Sequence, residues 1–152
     1  MPDLQEVFDA VLKWDRRFLV LAQHVASWSK DPSTKVGAVI VRPDRTVASV
    51  GYNGFPRGCD DSPELYANRD EKIGRVVHAE RNAILSAYER LHGYTVYCTF
   101  APCDGCAGEI IQAGIRRVVA PVTPDALMQR WGVSLTRAAT MFAEAGVQFD
   151  QI

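Results

Sequence analysis

The stretch KVGAVIVRPDRTVASVGYN, residues 35–53, decides the fold class of this chain. Its first part, 35–41, is an apolar run rich in β-branched residues. A second run of the same kind ends at Asn53, and the Pro43-Asp44 pair between the two runs is typical of a turn. Two such runs joined by a short turn predict a β-hairpin, and the hairpin predicts a sheet.

Helices and further strands are expected on both sides of this hairpin. Upstream, apolar residues from Phe18 to Trp28 recur at three- and four-residue steps, which predicts a helix that ends before Pro32. Downstream, the pattern predicts a loop at 54–64, a helix at 79–91, a strand at 94–100 and a helix at 103–113 closed by Gly114. A strand at 115–121, a helix from Ser134 to Ala145 and a short strand at 147–149 follow, and residues 122–133 show no clear pattern. This order predicts an α/β fold of three layers, α/β/α, with one mixed five-stranded sheet between helices on both faces.

The composition is that of an ordinary globular protein. A length of 152 residues fits one domain, over residues 1–152. The net charge of −1 shows no basic excess, so no nucleic-acid partner is expected. No apolar run approaches the roughly 20 residues of a membrane span, and the N-terminal segment MPDLQEVFDA lacks the basic and apolar regions of a secretory signal. We therefore expect a cytoplasmic protein that does not contact a membrane.

Two predicted helix starts carry residues that bind metals. His78 begins one helix, and Cys103 and Cys106, three residues apart on the first turn of another, share one helical face. If the two helices lie side by side, one nitrogen and two sulfur ligands meet, a set that suits zinc and leaves the fourth tetrahedral position open. Glu80 is then a carboxylate beside the metal that is not a ligand, as a proton carrier in hydrolysis would be.

Each half of this pattern has an ordinary interpretation by itself. In a reducing compartment a Cys-x-x-Cys pair is more often a metal or redox pair than a disulfide, and it also occurs in structural zinc sites. A structural site usually has four protein ligands and has no use for Glu80. His78 and Glu80 alone would more often be surface residues at a helix start.

The two halves together resemble a known enzyme signature. HAE at 78–80 followed by PCDGC at 102–106 is the pattern of the zinc-dependent nucleobase deaminases. Within that superfamily the chain resembles the deoxycytidylate (dCMP) deaminases, through SKDPSTKVGAVIV at 29–41, GYNGFPRGCDD at 51–61 and AGEIIQAGIRRVV at 107–119. The resemblance covers about residues 14–120 and fades after Pro121.

The resemblance implies a fold like that of cytidine deaminase, one catalytic Zn²⁺ ion and a hydrolytic reaction. In that reaction dCMP is converted to dUMP with release of ammonia, which supplies a precursor for thymidylate. His78, Cys103 and Cys106 would bind the zinc, and Glu80 would pass protons from water to the base. The resemblance further implies a set of substrate contacts: the backbone N–H of Ala79 to the base carbonyl, Asn53 to the sugar 3′-hydroxyl, Val36 and Phe100 as apolar walls, and Ser29, Lys30 and Arg57 as candidates for the 5′-phosphate.

Several points stay open at this stage. The substrate is also compatible with a 5-methyl- or 5-hydroxymethyl-dCMP, or with a free nucleoside or base, and a non-catalytic, zinc-stapled nucleotide-binding module is a more remote alternative. Family members are often homo-oligomers, commonly hexamers, and some respond to dCTP and dTTP. The resemblance therefore implies a homo-oligomer and leaves regulation by these nucleotides open, with residues 54–61 as the place to look for an effector site. Cys59 and Cys98 lack a set of partner ligands and are expected to bind no metal.

Overall fold

The hairpin predicted over residues 35–53 is present and forms one side of a five-stranded sheet. The computed structural model describes all 152 residues. Along the chain the elements are α1 (Leu4–Ala26), β1 (Gly37–Val41), β2 (Val47–Tyr52), α2 (Pro63–Ala67), α3 (Arg69–Arg75), α4 (Ala79–Leu85), β3 (Thr95–Cys98), α5 (Asp104–Gln112), β4 (Arg117–Ala120), α6 (Asp125–Ala145) and β5 (Gln148–Gln151).

The five strands form one mixed sheet in the order β2-β1-β3-β4-β5. β1 runs antiparallel to both of its neighbours, β2 and β3. β4 runs parallel to β3 and to β5, and these parallel connections pass through the helices α5 and α6. The predicted fold class, with its mixed five-stranded sheet, is therefore confirmed.

Alternate residues of the strands pack against different helices, because successive side chains of a strand point to opposite faces of the sheet. Val39 and Tyr97 belong to the part of the core that contains α1 residues such as Phe18. Ile40 and Val96 belong to the part that α4, α5 and α6 complete. One helix thus covers one face of the sheet and three cover the other, which gives the three predicted layers.

Two glycines bring helices unusually close to the sheet. A Cβ on Gly37 would collide with the backbone of Ala22 in α1, and a Cβ on Gly51 would collide with the backbone of Ala79 and Ala83 in α4. Glycine is required at such positions because the helix backbone occupies the space of a side chain. Gly51 therefore fixes where the first turn of α4 rests on the sheet.

The strand directions collect several predicted site residues at one edge of the sheet. Because β1 is antiparallel to β2 and β3, the start of β1 lies at the same edge as the ends of the other two. Val36 precedes β1, Asn53 follows β2 and Phe100 follows β3. The backbone N–H of Thr99 donates to the carbonyl of Gly37 at 3.0 Å, which holds this edge together.

The helices differ in extent from the sequence predictions. α1 begins at Leu4, far upstream of the apolar stripe that starts at Phe18, and its N-terminal turns are exposed. The two short helices α2 and α3 were not predicted, since neither is long enough to show a helical repeat. α4 ends at Leu85 rather than near 91, and Leu85 and Tyr88 are both exposed, so the apolar pattern of this stretch does not mark one buried helical face.

The largest correction concerns the last helix. α6 begins at Asp125, so the unassigned residues 122–133 are mostly helical and Ser134 is not a helix cap. The Ser134 hydroxyl oxygen instead accepts a hydrogen bond from the backbone N–H of Asp104, at 3.0 Å, across to α5. None of the six helices combines the length and apolarity needed to cross a bilayer.

Candidate active site

The three predicted metal ligands lie together where α4 and α5 begin. His78 is the N-cap residue of α4 and Cys103 is the N-cap residue of α5, so both side chains project over helix starts that meet at one place. The Nδ1 atom of His78 lies 3.5 Å from Sγ of Cys103 and 3.3 Å from Sγ of Cys106. His78 makes no side-chain capping bond to its own helix, which leaves the imidazole free for this cluster.

The three ligand side chains shift one another's pKa values. A hydrogen bond from the Cys106 thiol, followed by the one from His78, lowers the pKa of Cys103 to about 4. The pKa of Cys106 is raised, because its thiol donates to Cys103 and is buried. The hydrogen bond to Cys103 raises the pKa of His78. Thiolates and a neutral imidazole are the forms that bind a metal, so metal binding at this cluster releases protons.

The donor set fits zinc. The ligand atoms of His78, Cys103 and Cys106 all lie within 4.8 Å of one another. One imidazole nitrogen and two thiolate sulfurs are ligands that zinc accepts, and three protein ligands are typical of catalytic rather than structural zinc sites. The predicted zinc cofactor is confirmed by this geometry together with the family match given below.

Glu80 lies beside the metal ligands without being one of them. Its Oε2 atom is 3.6 Å from Sγ of Cys106, and only 4% of the residue is exposed. Burial raises the pKa of the Glu80 carboxyl group. A carboxyl group at this position can accept a proton and donate it again, as general acid–base catalysis requires.

Two polar contacts fasten the helices that carry the ligands. Arg81 of α4 donates a hydrogen bond from Nε to Oε2 of Glu109 in α5 at 2.9 Å, and its Nη2 forms an ion pair with Oε1 at 2.6 Å. Asp104, directly after the first cysteine, accepts a hydrogen bond from Arg137 of α6 in addition to its backbone bond to Ser134. No local sequence pattern indicates these pairings, because the partners are 28 to 33 residues apart.

Asn53 lies at the edge of the sheet with most of its side chain already bonded. Its Oδ1 accepts from the backbone N–H of Val36 at 2.8 Å, and its Nδ2 donates to the carbonyl of Thr34 at 2.8 Å. The remaining amide hydrogen points to Oδ2 of Asp31 at 3.4 Å. An amide oxygen has two lone pairs, so one lone pair of Oδ1 is left for a further donor such as a hydroxyl.

The other residues predicted to contact the base surround the same edge. Val36 and Phe100 are both partly buried. Ala79 is buried as the first residue of α4, and its backbone N–H has no carbonyl of its own helix to bond. The structure therefore brings Val36, Asn53, Ala79 and Phe100 to the edge at which α4 begins.

The three phosphate candidates are placed differently from one another. The Ser29 hydroxyl is buried, donates to the carbonyl of Asn53 at 2.7 Å and accepts from the N–H of Asp31. Lys30 is exposed and forms an ion pair with Asp61 at 2.7 Å. Arg57 is exposed and makes no ion pair. Of the three, Arg57 alone is a cation without an internal partner.

The comparisons with known proteins agree with this site. Residues 12–122 match the family described as the cytidine and deoxycytidylate deaminase zinc-binding region. A protein of Aliivibrio fischeri named as an uncharacterized deaminase in the luxG 3′ region is 45% identical over 138 residues, which is 91% of this chain and 92% of that protein. The deoxycytidylate deaminase of Mus musculus is 33% identical over 160 residues, covering 95% of this chain and 90% of that protein.

Solved structures share the architecture. The dCMP deaminase of the cyanophage S-TIM5, in its apo form, superposes with a TM-score of 0.71 over 92% of this chain and 98% of that chain. Its sequence identity is 24%, so the likeness bears on the fold. The predicted similarity to the cytidine deaminase fold is thereby confirmed.

Proposed function

Because the chain belongs to the cytidine and deoxycytidylate deaminase family, we propose that it is a zinc-dependent hydrolase that converts dCMP and water to dUMP and ammonia. The observation that carries the proposal is one cluster at the start of α4 and α5. There His78, Cys103 and Cys106 offer three zinc ligands, and the buried Glu80 carboxylate lies 3.6 Å from one of them. A purely structural zinc site would not need that carboxylate.

The chemistry assigns a specific task to Glu80. When bound, zinc supplies a Lewis acid that makes water nucleophilic near neutral pH. Glu80 takes both protons of the water in turn, giving one to N3 of the cytosine ring and the other to the leaving amino group. The C4–N bond breaks, a C4–O bond forms, and ammonia and a uracil ring result. The raised pKa of Glu80 suits this double role, since the same group must accept and release protons.

The edge of the sheet would hold the nucleotide. We propose that the unbonded N–H of Ala79 donates to the base carbonyl and that Val36 and Phe100 flank the ring. Asn53 would accept a hydrogen bond from the sugar 3′-hydroxyl through the second lone pair of Oδ1. Its other bonds to the protein would hold the amide in a fixed orientation for that contact.

The 5′-phosphate would be bound by cations of the surrounding loops. Arg57 supports this role best, because it has no internal partner, and Lys30 would have to exchange its exposed ion pair with Asp61. Ser29 already makes two hydrogen bonds, so we propose that it supports Asn53 rather than touching the phosphate. Removing one phosphate cation should raise KM for dCMP while leaving deoxycytidine turnover unchanged.

The substrate is tested by measuring kcat/KM side by side for dCMP, 5-methyl-dCMP, deoxycytidine and dAMP with the zinc-loaded protein. We expect dCMP to give the highest value, with dUMP and ammonia formed in equal amounts. Equal or faster turnover of deoxycytidine would overturn the nucleotide assignment. A preference for 5-methyl-dCMP would change the substrate but keep the chemistry, and no turnover of any of the four would favour a non-catalytic binding module.

The remaining inferences concern assembly and regulation. We propose a homo-oligomer, a hexamer by analogy with the family, and the exposed apolar side chains of Leu4, Val7 and Phe8 on α1 offer a surface for it. Light scattering of the purified protein decides this point, and a monomer would contradict it. Activation by dCTP or inhibition by dTTP is tested in the same assay, with residues 54–61 as the expected site. A cytoplasmic role in supplying dUMP for thymidylate stays a prediction.

A further inference from the structure

A buried carboxylate lies in the turn between α1 and β1, with a single cation from a distant helix. Asp31 is 1% exposed, and its Oδ1 atom accepts from Nζ of Lys72, in α3, at 2.9 Å. The same oxygen accepts from the N–H groups of Ser33 at 2.9 Å and Thr34 at 3.1 Å. Burial raises the pKa of Asp31, but the bonds from Lys72 and the two N–H groups outweigh burial and leave it lowered.

The carboxylate is joined directly to the edge of the sheet that we assign to the nucleotide. The other oxygen of Asp31, Oδ2, faces Nδ2 of Asn53 at 3.4 Å. Oδ1 of Asp31 stabilises the turn at 31–34 through its bonds to the Ser33 and Thr34 N–H groups. The carbonyl of Thr34 in this turn accepts a hydrogen bond from Nδ2 of Asn53 at 2.8 Å. Asn53 in turn accepts from the N–H of Val36. A continuous set of polar contacts thus runs from Lys72 to two proposed substrate contacts.

Lys72 is connected to the metal cluster through the segment between α3 and α4. Lys72 accepts at its backbone carbonyl from the N–H of Val76, the residue that ends α3. Val77 then forms a pair of backbone hydrogen bonds with Gly54, at 2.8 and 3.1 Å, and His78 follows at once. Lys72 therefore contacts the turn at 31–34 from the segment that leads into the first zinc ligand.

The Asp31–Lys72 ion pair is more buried than the other ion pair on α3. Arg75 and Glu71 of α3 also form an ion pair, but their side chains are 38% and 44% exposed and reach no other element. Exposed pairs of that kind contribute little to structure. The Asp31 side chain is 2% exposed and Lys72 is 23% exposed. A buried pair adds little net stability, and its best attested use is to specify one arrangement of the groups around it.

We propose that Lys72 is a positioning residue for the nucleotide: through Asp31 it holds the turn at 31–34, and that turn holds Asn53 and Val36 in their binding orientation. The proposal rests on the proposed function for its kinetic consequence, but the orientation of Asn53 is a property of the protein alone. Lys72 has no role in the proton transfers assigned to Glu80.

The kinetic test compares Lys72→Met with the wild-type enzyme on dCMP. Because Asn53 and Val36 hold the substrate and the transition state alike, loss of their orientation raises KM and leaves kcat nearly unchanged. We expect KM to rise about tenfold, with kcat within about twofold and zinc content unchanged. Lys72→Arg should keep most of the wild-type KM, and Arg75→Met, which removes the exposed pair on the same helix, should have no effect.

A second measurement covers the case in which Lys72→Met folds poorly or the substrate is wrong. Asp31→Asn keeps the shape of the turn and leaves Lys72 free to reach water. NMR in the absence of substrate would measure the hydrogen exchange of the Val36 N–H and of the Asn53 side-chain amide. In both variants we expect this exchange to be faster than in the wild type. Unchanged exchange and unchanged KM would overturn the proposal.

The two proposals fail in distinguishable ways. A drop in kcat that merely tracks a lower folded fraction, with KM unchanged, would make the pair structural and would also overturn the positioning role. A wild-type protein without dCMP turnover refutes the proposed function alone, and the exchange rates still decide whether Lys72 orients Asn53.

Discussion

Replacing Gly51 by alanine tests whether the close contact between β2 and α4 sets the geometry of the active site. A Cβ at this position would lie 2.9 Å from Cα of Ala83 and closer still to the Ala83 nitrogen and the Ala79 carbonyl oxygen. Non-bonded carbon atoms rest about 3.5–4.0 Å apart, so α4 has to move away from the sheet by roughly 1 Å. His78 and Glu80, at the start of α4, would move with it.

The cost of that displacement can be estimated for stability and for activity. Overpacking of a core contact costs about 1–3 kcal/mol. Alanine restricts the unfolded chain more than glycine does, and this smaller entropy loss on folding stabilises the protein by about 0.4–1 kcal/mol. The net loss in the free energy of unfolding is then up to about 2.6 kcal/mol, measured by urea denaturation. A misplacement of roughly 1 Å in catalytic groups costs about 10²-fold in rate, so kcat/KM for dCMP should fall although the protein stays folded.

Gly74→Ala is the matched control, because a Cβ on Gly74 in α3 meets nothing within 4 Å. Alanine in place of an unconstrained helical glycine stabilises a protein by about 0.5–1 kcal/mol, so this variant should be at least as stable as the wild type and equally active. If Gly51→Ala matched the wild type in both unfolding free energy and kcat/KM, the contact between β2 and α4 would not determine the positions of His78 and Glu80.

Three further outcomes follow from the metal cluster and the buried charges. Zinc added to the metal-free protein should raise its stability, by about 2.7 kcal/mol at a 100-fold excess over Kd, and an equal effect in Cys103→Ser/Cys106→Ser would contradict the ligand assignment. Arg117→Met leaves the Asp15 side chain, 2% exposed, without its cation. Urea denaturation should show a loss of about 3–5 kcal/mol that Asp15→Leu/Arg117→Met largely recovers, and an additive double variant would speak against a coupled pair. Burial, and then the hydrogen bond to Asp15, raises the pKa of Tyr97, so the stability that its neutral phenol provides is complete below about pH 10 and is lost as the pH rises further. Urea denaturation above pH 10 should therefore show a steeper loss in the wild type than in Tyr97→Phe, and identical slopes would contradict the assignment.

The sheet and the metal cluster could be predicted because their signals are local. The hairpin at 35–53 shows its two runs and its turn within 19 residues, and β-branched apolar segments mark β3 and β4. The cluster depends on His78 at one helix start and on Cys103 and Cys106 at another, and a mixed sheet brings those starts to one edge. The glycine that ends α5, Gly114, has the predicted left-handed backbone, with φ of 80°.

The parts that sequence reasoning missed depend on contacts between distant segments. The start of α6 was hidden because Ser134 resembles a helix cap, whereas its hydroxyl serves the backbone of Asp104 on another helix. The helix α3 is too short to show a helical repeat of apolar residues. Its Lys72 nevertheless donates a hydrogen bond to Asp31, 41 residues away in sequence. Ser29 was a plausible phosphate ligand by its type, and its burial against Asn53 follows only from the fold.

The proton transfers assigned to Glu80 are tested by the zinc content and dCMP turnover of Glu80→Gln, measured beside the wild-type enzyme. Glutamine has the same shape but cannot carry the proton, and general acid–base catalysis contributes about 10²–10⁴-fold. We expect one zinc per chain in both proteins and a fall in kcat of that size in the variant, while Glu144→Gln on the exposed part of α6 stays at the wild-type rate. A Glu80→Gln variant that binds zinc and turns over dCMP within a few fold of the wild type would contradict the proton transfers assigned to Glu80.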